Sequence, residues 1–196
     1  MFDSRDPSSP SFWDERFEKG FTPWDKGGVP ASLAAFVART GTPLRSLIPG
    51  CGSAYELAFL SSAGWDATAI DFSPAAVASG KAVAGPWRDR VLEADFFTWQ
   101  PGQPLELIYE RAFLCALSRA MWPQAAARWA ELLAPGALLA GCFFFDDHLK
   151  GPPFGTSAPV LEHLLAPYFV CIEDSPVDDS IPVFEGKERW MVWQRK

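Results

Sequence analysis

Leu44 to Ile48 is a strand-like run that passes directly into Pro49-Gly50-Cys51-Gly52-Ser53-Ala54, and Ala54 to Ala63 then continues with helical spacing up to Gly64. A Gly-x-Gly turn between a strand and a helix has two physical consequences. Glycine tolerates the backbone angles of a sharp turn and, lacking Cβ, lets the main chain come close to a ligand. The helix behind the turn presents amides that have no intrahelical partner. The unit then repeats. Asp66 to Ile70 reads as a strand, and Pro74 to Val83 as a helix opened by Ser73 as N-cap with proline in the first turn.

The same rhythm runs on. Arg90 to Glu93 and Leu105 to Tyr109 are short strands, and Phe113 to Leu117 is an apolar stretch. Pro123 to Leu133 is a helix expected to stop at the Pro135-Gly136 turn, before a long buried strand over Ala137 to Phe145. Pro159 to Leu165 is helical, and Phe169 to Glu173 and Arg189 to Gln194 are strands. Alternation of this kind implies an α/β fold with a doubly wound, mostly parallel sheet and helices on both faces. No helical pattern separates the last two strands. They are therefore expected to pair antiparallel as an edge, with Trp190 and Trp193 packing it.

Asp71 ends the second strand, nineteen residues after Gly52. A carboxylate there can accept both hydroxyls of a ribose. Dinucleotide sites share this acid, so Asp71 indicates an adenine nucleoside without choosing among cofactors. The turn does choose. A dinucleotide fingerprint needs a third glycine for close helix–strand packing, and Tyr55 stands at that position. Asp95, in EADFFTW, can accept the adenine amino group with Phe96 beside the ring; as an ordinary residue it would cap a turn.

The formal charge of −7 argues against a nucleic-acid backbone as partner. Cys51, Cys115, Cys142 and Cys171 form no CxxC pair and have no histidine at ligand spacing, so no metal site is expected. Buried free thiols in a reducing compartment are the plain reading. MFDSRDPSSP has no apolar signal core. The longest apolar stretch, 134–145, is too short to span a bilayer. A cytoplasmic protein acting on a small molecule, with no membrane partner and as a monomer, is expected.

Several segments in this order resemble the thiopurine and thiol/halide methyltransferase family of S-adenosylmethionine enzymes: FWDERFEKGFTPWD, PGCGSAYE, AIDFS, ADFF, YERAFLCAL, LLAPGALLAGCFFF and GPPFGTS. The resemblance covers nearly the whole chain. It implies a Rossmann-like, seven-stranded, mostly parallel sheet with an antiparallel last strand, in one domain over 1–196. Residues 1–28 would form a tail and a lid that orders over the cofactor, S-adenosyl-L-methionine. Trp13, Phe17 and Trp24 match the aromatic positions that cover it, and Phe17 stands where relatives often carry tryptophan. Gly50 matches the loop residue at the cofactor's amino-acid part, with Gly52 a cofactor-binding residue of the same turn, Asp71 the ribose acid, and Asp95 with Phe96 the adenine pair. Arg111 matches an arginine of the thiopurine branch, whereas TPWDKGGVP and FLCAL resemble the halide/thiol branch.

The implied reaction is methyl transfer to a small soft nucleophile, a thiol first of all. A thiol of pKa about 8.5 is only a few per cent thiolate at neutral pH. A nearby cation such as Arg111 would favour the anion. As a structural residue Arg111 would pair with Glu110 or another acid. No general base stands out: His163 lies on an apolar helix, and His148, beside Asp146 and Asp147, is expected at the site mouth as a solvated loop residue. Phe154 is expected at the rim of a substrate cavity. The alternatives are methylation of a halide, bisulfide or chalcogen oxyanion, of which iodide needs no deprotonation, and a non-catalytic module that only binds the cofactor.

Overall fold

The computed structural model describes residues 2–148 and 150–196. Residue 1 of the expected tail lies outside them. The chain divides into two compact units, Met1–Trp99 and Gln100–Lys196.

The first unit opens with α1 (Pro10–Glu18) and α2 (Ala31–Arg39), followed by β1 (Arg45–Pro49), α3 (Tyr55–Ser62), β2 (Asp66–Asp71), α4 (Pro74–Ala84) and β3 (Val91–Glu93). β1 pairs parallel with β2 from Arg45↔Asp66 to Pro49↔Ile70, and β2 with β3 from Ala69↔Val91 to Asp71↔Glu93. Leu47, Ile48, Ala67, Ala69 and Ile70 are buried on the strands, and Leu57, Leu60, Ala76 and Val77 on the helices. Strands buried on both faces carry apolar residues at consecutive positions, which is why periodicity alone reads them only coarsely. Ser73 caps α4 as expected, its Oγ accepting from the Ala76 amide at 3.1 Å.

The second unit contains β4 (Leu105–Arg111), α5 (Trp122–Leu132), β5 (Leu133–Phe144), α6 (Ala158–Leu165), β6 (Phe169–Pro176) and β7 (Glu188–Arg195). β4 and β5 are parallel, β5 and β7 antiparallel, and β6 and β7 antiparallel. The seven strands follow the order β3-β2-β1-β4-β5-β7-β6. β7 runs antiparallel to both of its neighbours, while β1–β2, β2–β3 and β4–β5 are parallel, the expected mostly parallel sheet with an antiparallel last strand.

Two local expectations change. Pro135-Gly136 does not precede β5 but lies inside it: the register steps from Leu105↔Leu133 to Leu107↔Leu138, so the intervening residues bulge out. A bulge accepts proline because the displaced residue owes no ladder hydrogen bond. The last two strands do pair antiparallel, but β7 lies between β5 and β6. Trp190 and Trp193 are consequently buried on both sides of an internal strand, at 2% and 1% exposure. β6 takes the edge, and its Val170 and Ile172 are half exposed.

Candidate functional site

The turn after β1 is built from left-handed residues. Gly50 has φ +58°, Gly52 +50° and Ala54 +53°. Glycine adopts this region freely, whereas Ala54 costs roughly 1–2 kcal/mol there. The Cys51 amide donates to the Ile70 carbonyl at 3.1 Å, tying the turn to the end of β2. A Cβ on Gly52 would sit 3.3 Å from Cζ of Phe17. A Cβ on Gly80, in α4, would fall 2.8 Å from the Gly52 carbonyl oxygen. The close approach that a third glycine provides in dinucleotide sites is thus made here from the next helix, where sequence reasoning did not look.

Asp71 completes this corner. It is buried, its Oδ2 accepts from the Gly52 amide at 3.1 Å, and its Oδ1 accepts from the Ser73 amide at 3.0 Å. Each carboxylate oxygen keeps a further lone pair. Burial pushes the carboxyl up to about 6, against the backbone hydrogen bonds from Ser73, Gly52 and Phe72, and the charge of Asp14 adds to the rise. An acid poised there gains most from a ligand that hydrogen-bonds its charged form. The corner fits an adenosyl cofactor: a bare glycine turn faces a buried carboxylate with acceptor capacity left.

Asp95 is exposed, and its Oδ1 accepts from the Phe97 amide at 2.9 Å. It caps the turn after β3, and Phe96 beside it is buried at 4% exposure. Trp13, Phe17 and Trp24 come together, with ring centroids 5.4 Å apart for Trp13–Trp24 and 6.1 Å for Phe17–Trp24. Trp13 Nε1 donates to the Pro7 carbonyl at 2.8 Å.

In the second unit, Arg111 ends β4 with its side chain 9% exposed, and its Nε lies 4.0 Å from Oε1 of Glu188, the first residue of β7. Glu188, from a strand far along the chain, is thus an acid beside Arg111. The adjacent Glu110 has a different task. Its Oε1 accepts from the amides of Phe113 and Leu114, at 3.1 and 2.8 Å, and shapes the turn after β4, where Ala112 has φ +55°. Its Oε2 is buried with no hydrogen bond. Burial pushes the Glu110 carboxyl up to about 8; the Phe113 and Leu114 amides oppose this, Glu188 adds to it and Arg111 lowers it. From sequence Glu110 entered only as a partner for Arg111, and Glu188 was not singled out.

A small cavity lies against the same turn, walled by Leu114, Cys115, Trp122, Phe143, Phe144, Phe154 and Thr156. It leaves about 10 Å³ for the centre of a water-sized sphere, near the lower bound for holding one water. Phe154 is one wall of this water-sized space, and its amide donates to the Cys115 carbonyl at 2.6 Å. The glycine of GPPFG is required, since a Cβ on Gly155 would fall 2.2 Å from the Asp146 carbonyl oxygen. Arg119 donates to the Gly155 carbonyl and holds the loop. The Cys115 and Cys51 thiols are pushed well up by burial, which makes them poor nucleophiles. His148 is exposed and its amide donates to Asp146, while His163 is exposed on α6. Among the described residues no group of three or more His, Cys, Asp or Glu is placed to hold a metal ion. None of their helices is long and apolar enough to cross a membrane.

The profile of the thiopurine S-methyltransferase family matches residues 8–196. The chain belongs to that family. Among relatives, thiocyanate methyltransferase 1 of Arabidopsis thaliana is 31% identical over 192 residues, covering 93% of this chain and 84% of that protein. A thiopurine S-methyltransferase of Vibrio campbellii is 34% identical over 100 residues, covering 50% and 46%. The fold is shared with solved methyltransferases. The 1,6-didemethyltoxoflavin-N1-methyltransferase of Burkholderia thailandensis, solved with bound 1,6-didemethyltoxoflavin and S-adenosylhomocysteine, superposes with a TM-score of 0.77 at 19% identity, covering 95% of this chain and 87% of that one. As a member of the thiopurine S-methyltransferase family, the chain is an S-adenosylmethionine-dependent methyltransferase.

Proposed function

We propose that the chain transfers a methyl group from S-adenosylmethionine to a small thiol, acting in the cytoplasm as a monomeric single domain over residues 1–196. The observation that carries the cofactor reading is the Asp71 carboxylate, buried at the end of β2 and bonded to the Gly52 amide of the glycine turn. The cofactor supplies a methyl on a sulfonium, already activated for in-line displacement. The protein's part is to hold and shield. Asp71 accepts the ribose hydroxyls, Asp95 and Phe96 flank the adenine, and Gly50 and Gly52 let main chain approach the amino-acid part. Trp13, Phe17 and Trp24 cover the cofactor and exclude water. Positioning alone can supply roughly 7–11 kcal/mol of the barrier.

Arg111 and Phe154 serve the acceptor. Arg111 favours the thiolate, with part of its charge already balanced by Glu188. The cavity at Phe154 has room for no more than one water, so it does not set the size of the acceptor. A second reading is methylation of a soft inorganic anion such as thiocyanate, bisulfide or iodide, supported by a relative that bears the name thiocyanate methyltransferase. A panel of alkyl and aryl thiols, thiocyanate, iodide, bisulfide and chalcogen oxyanions with methyl-labelled donor decides between them. Turnover of small thiols above all inorganic anions bears out the first reading, and the reverse order establishes the second. S-adenosylmethionine binding without turnover of any acceptor would leave a binding module.

A further inference from the structure

Two carboxylates of the N-terminal segment reach the two turns that follow the first parallel strands. Asp14, on α1, accepts through Oδ1 from the Ser73 hydroxyl at 2.6 Å and from the Ala75 amide at 3.1 Å. Ser73 and Ala75 flank the N-terminus of α4, two and four residues beyond Asp71. Asp25, in the TPWDKGG stretch, accepts through Oδ2 from the Ser53 hydroxyl at 2.5 Å, and through Oδ1 from the Gly27 amide at 2.7 Å. Ser53 directly follows the second glycine of the turn after β1.

We propose that Asp14 and Asp25 are positioning residues for the cofactor, a pair of clasps that hold the N-terminal segment over the turns after β1 and β2 and set how fast the cofactor leaves. This rests on the reading that the cofactor lies along those turns.

The geometry supports a shared task. Asp14 and Phe17 are three residues apart on α1 and so project from the same side of the helix. One is anchored beside Asp71, and the other packs where a Cβ on Gly52 would meet it at 3.3 Å. Trp24 precedes Asp25 and packs against both Trp13 and Phe17. The aromatic cover is thus pinned at each end by a charge-assisted hydrogen bond, and the pins engage residues adjacent to the cofactor-holding groups. Both bonds span long stretches of chain, 59 residues for Asp14–Ser73 and 28 for Asp25–Ser53. They constrain the segment against the turns and not merely within itself. Ser73 ties the two functions most closely: its amide donates to Asp71 while its hydroxyl donates to Asp14. A carboxylate at a helix N-terminus is also favoured by the unpaired amides there. That explains why the anchor is stable, but not why the aromatic segment is what carries it.

The test measures S-adenosylhomocysteine dissociation from the full chain by stopped-flow tryptophan fluorescence, alongside the melting temperature. Asp14→Ala and Asp25→Ala should each release the ligand roughly tenfold faster, the factor for losing one charge-assisted hydrogen bond. Asp14→Asn keeps an acceptor oxygen and should restore most of the slow release. Asp25→Ala combined with Ser53→Ala should be no worse than either alone, since both remove the same bond. Michaelis constants for the donor should rise while kcat changes less. A lowered melting temperature with unchanged dissociation would make the contacts merely structural and overturn the proposal. Additive Asp25 and Ser53 effects would overturn it too. If Asp14→Ala fails to fold, Asp14→Asn and the Asp25–Ser53 pair decide alone. Asp71→Ala is the control for the underlying reading: unchanged affinity there removes the cofactor from these turns, whereas weakened affinity with unmoved clasp variants rejects only the clasp.

Discussion

Asp71 in the first unit and Glu110 in the second both stand at or next to the carboxyl end of a parallel strand, and both are buried. Their surroundings differ. Both oxygens of Asp71 accept backbone amides, from Gly52 and Ser73, and its carboxyl is pushed up only to about 6. Glu110 uses a single oxygen for its two amides, has Glu188 as a like-charged neighbour, and is pushed up to about 8. Local backbone donors stabilise a charge in the first case. In the second, burial outweighs the two amides and Arg111, Glu188 adds to it, and the charge is withheld. A carboxylate meant to bind a ligand is kept ionisable, and one meant to shape a turn is better neutral.

The sharpest way to break this contrast is at Arg111. Arg111→Met should destabilise the fold by about 3–5 kcal/mol, because it leaves Glu188 buried beside Glu110 without its cation. Adding Glu188→Gln should recover much of that in urea unfolding. If the single variant is as stable as wild type, the charge network has no weight. The surviving enzyme also tests catalysis: the apparent pKa for thiol turnover should rise in Arg111→Met, and an unmoved pH profile would end that role.

Glu110→Gln comes next. The folded carboxyl lies above its unfolded value of about 4.5, so its contribution to stability is fully present below that pH and is lost as pH rises through about 8. The wild type should lose roughly 3–5 kcal/mol across this window from Glu110. The glutamine variant should lack that part of the fall and exceed the wild type above pH 8. Parallel stability profiles for the two proteins would mean Glu110 is ionised throughout.

In the first unit the effects are read on the ligand. Asp71→Ala should weaken S-adenosylhomocysteine binding by roughly 1.5–3 kcal/mol for each charged hydrogen bond lost, measured by calorimetry, and should affect folding less. The smallest effect is the pH dependence of the wild type. The ribose hydroxyls favour the ionised acid, so affinity should fall as pH drops through about 6, by about tenfold at pH 5. Affinity that is flat from pH 7 to 5 would show Asp71 ionised before the ligand arrives, and would erase its difference from an ordinary surface acid.

The turn and its glycines, Asp71 after β2, the Ser73 cap and the strand–helix alternation were legible in the sequence, because each is made by residues close together in the chain whose backbone demands leave a local signature. Trp13, Phe17 and Trp24 were legible only through family resemblance, since aromatic spacing by itself reads equally well as core. The bulge at Pro135-Gly136 was misplaced because a proline–glycine pair marks a turn by local rules, and only pairing with β4 turns it into a bulge. The internal place of β7 was hidden for a similar reason: strand order is chosen by what the buried faces of Trp190 and Trp193 can pack against. Tertiary structure alone brought Gly80 to the Gly52 carbonyl, Glu188 to Arg111, and the two aspartates to Ser73 and Ser53. Those contacts join positions tens of residues apart, and side-chain burial and charge compensation are settled only once the chain has brought such positions together.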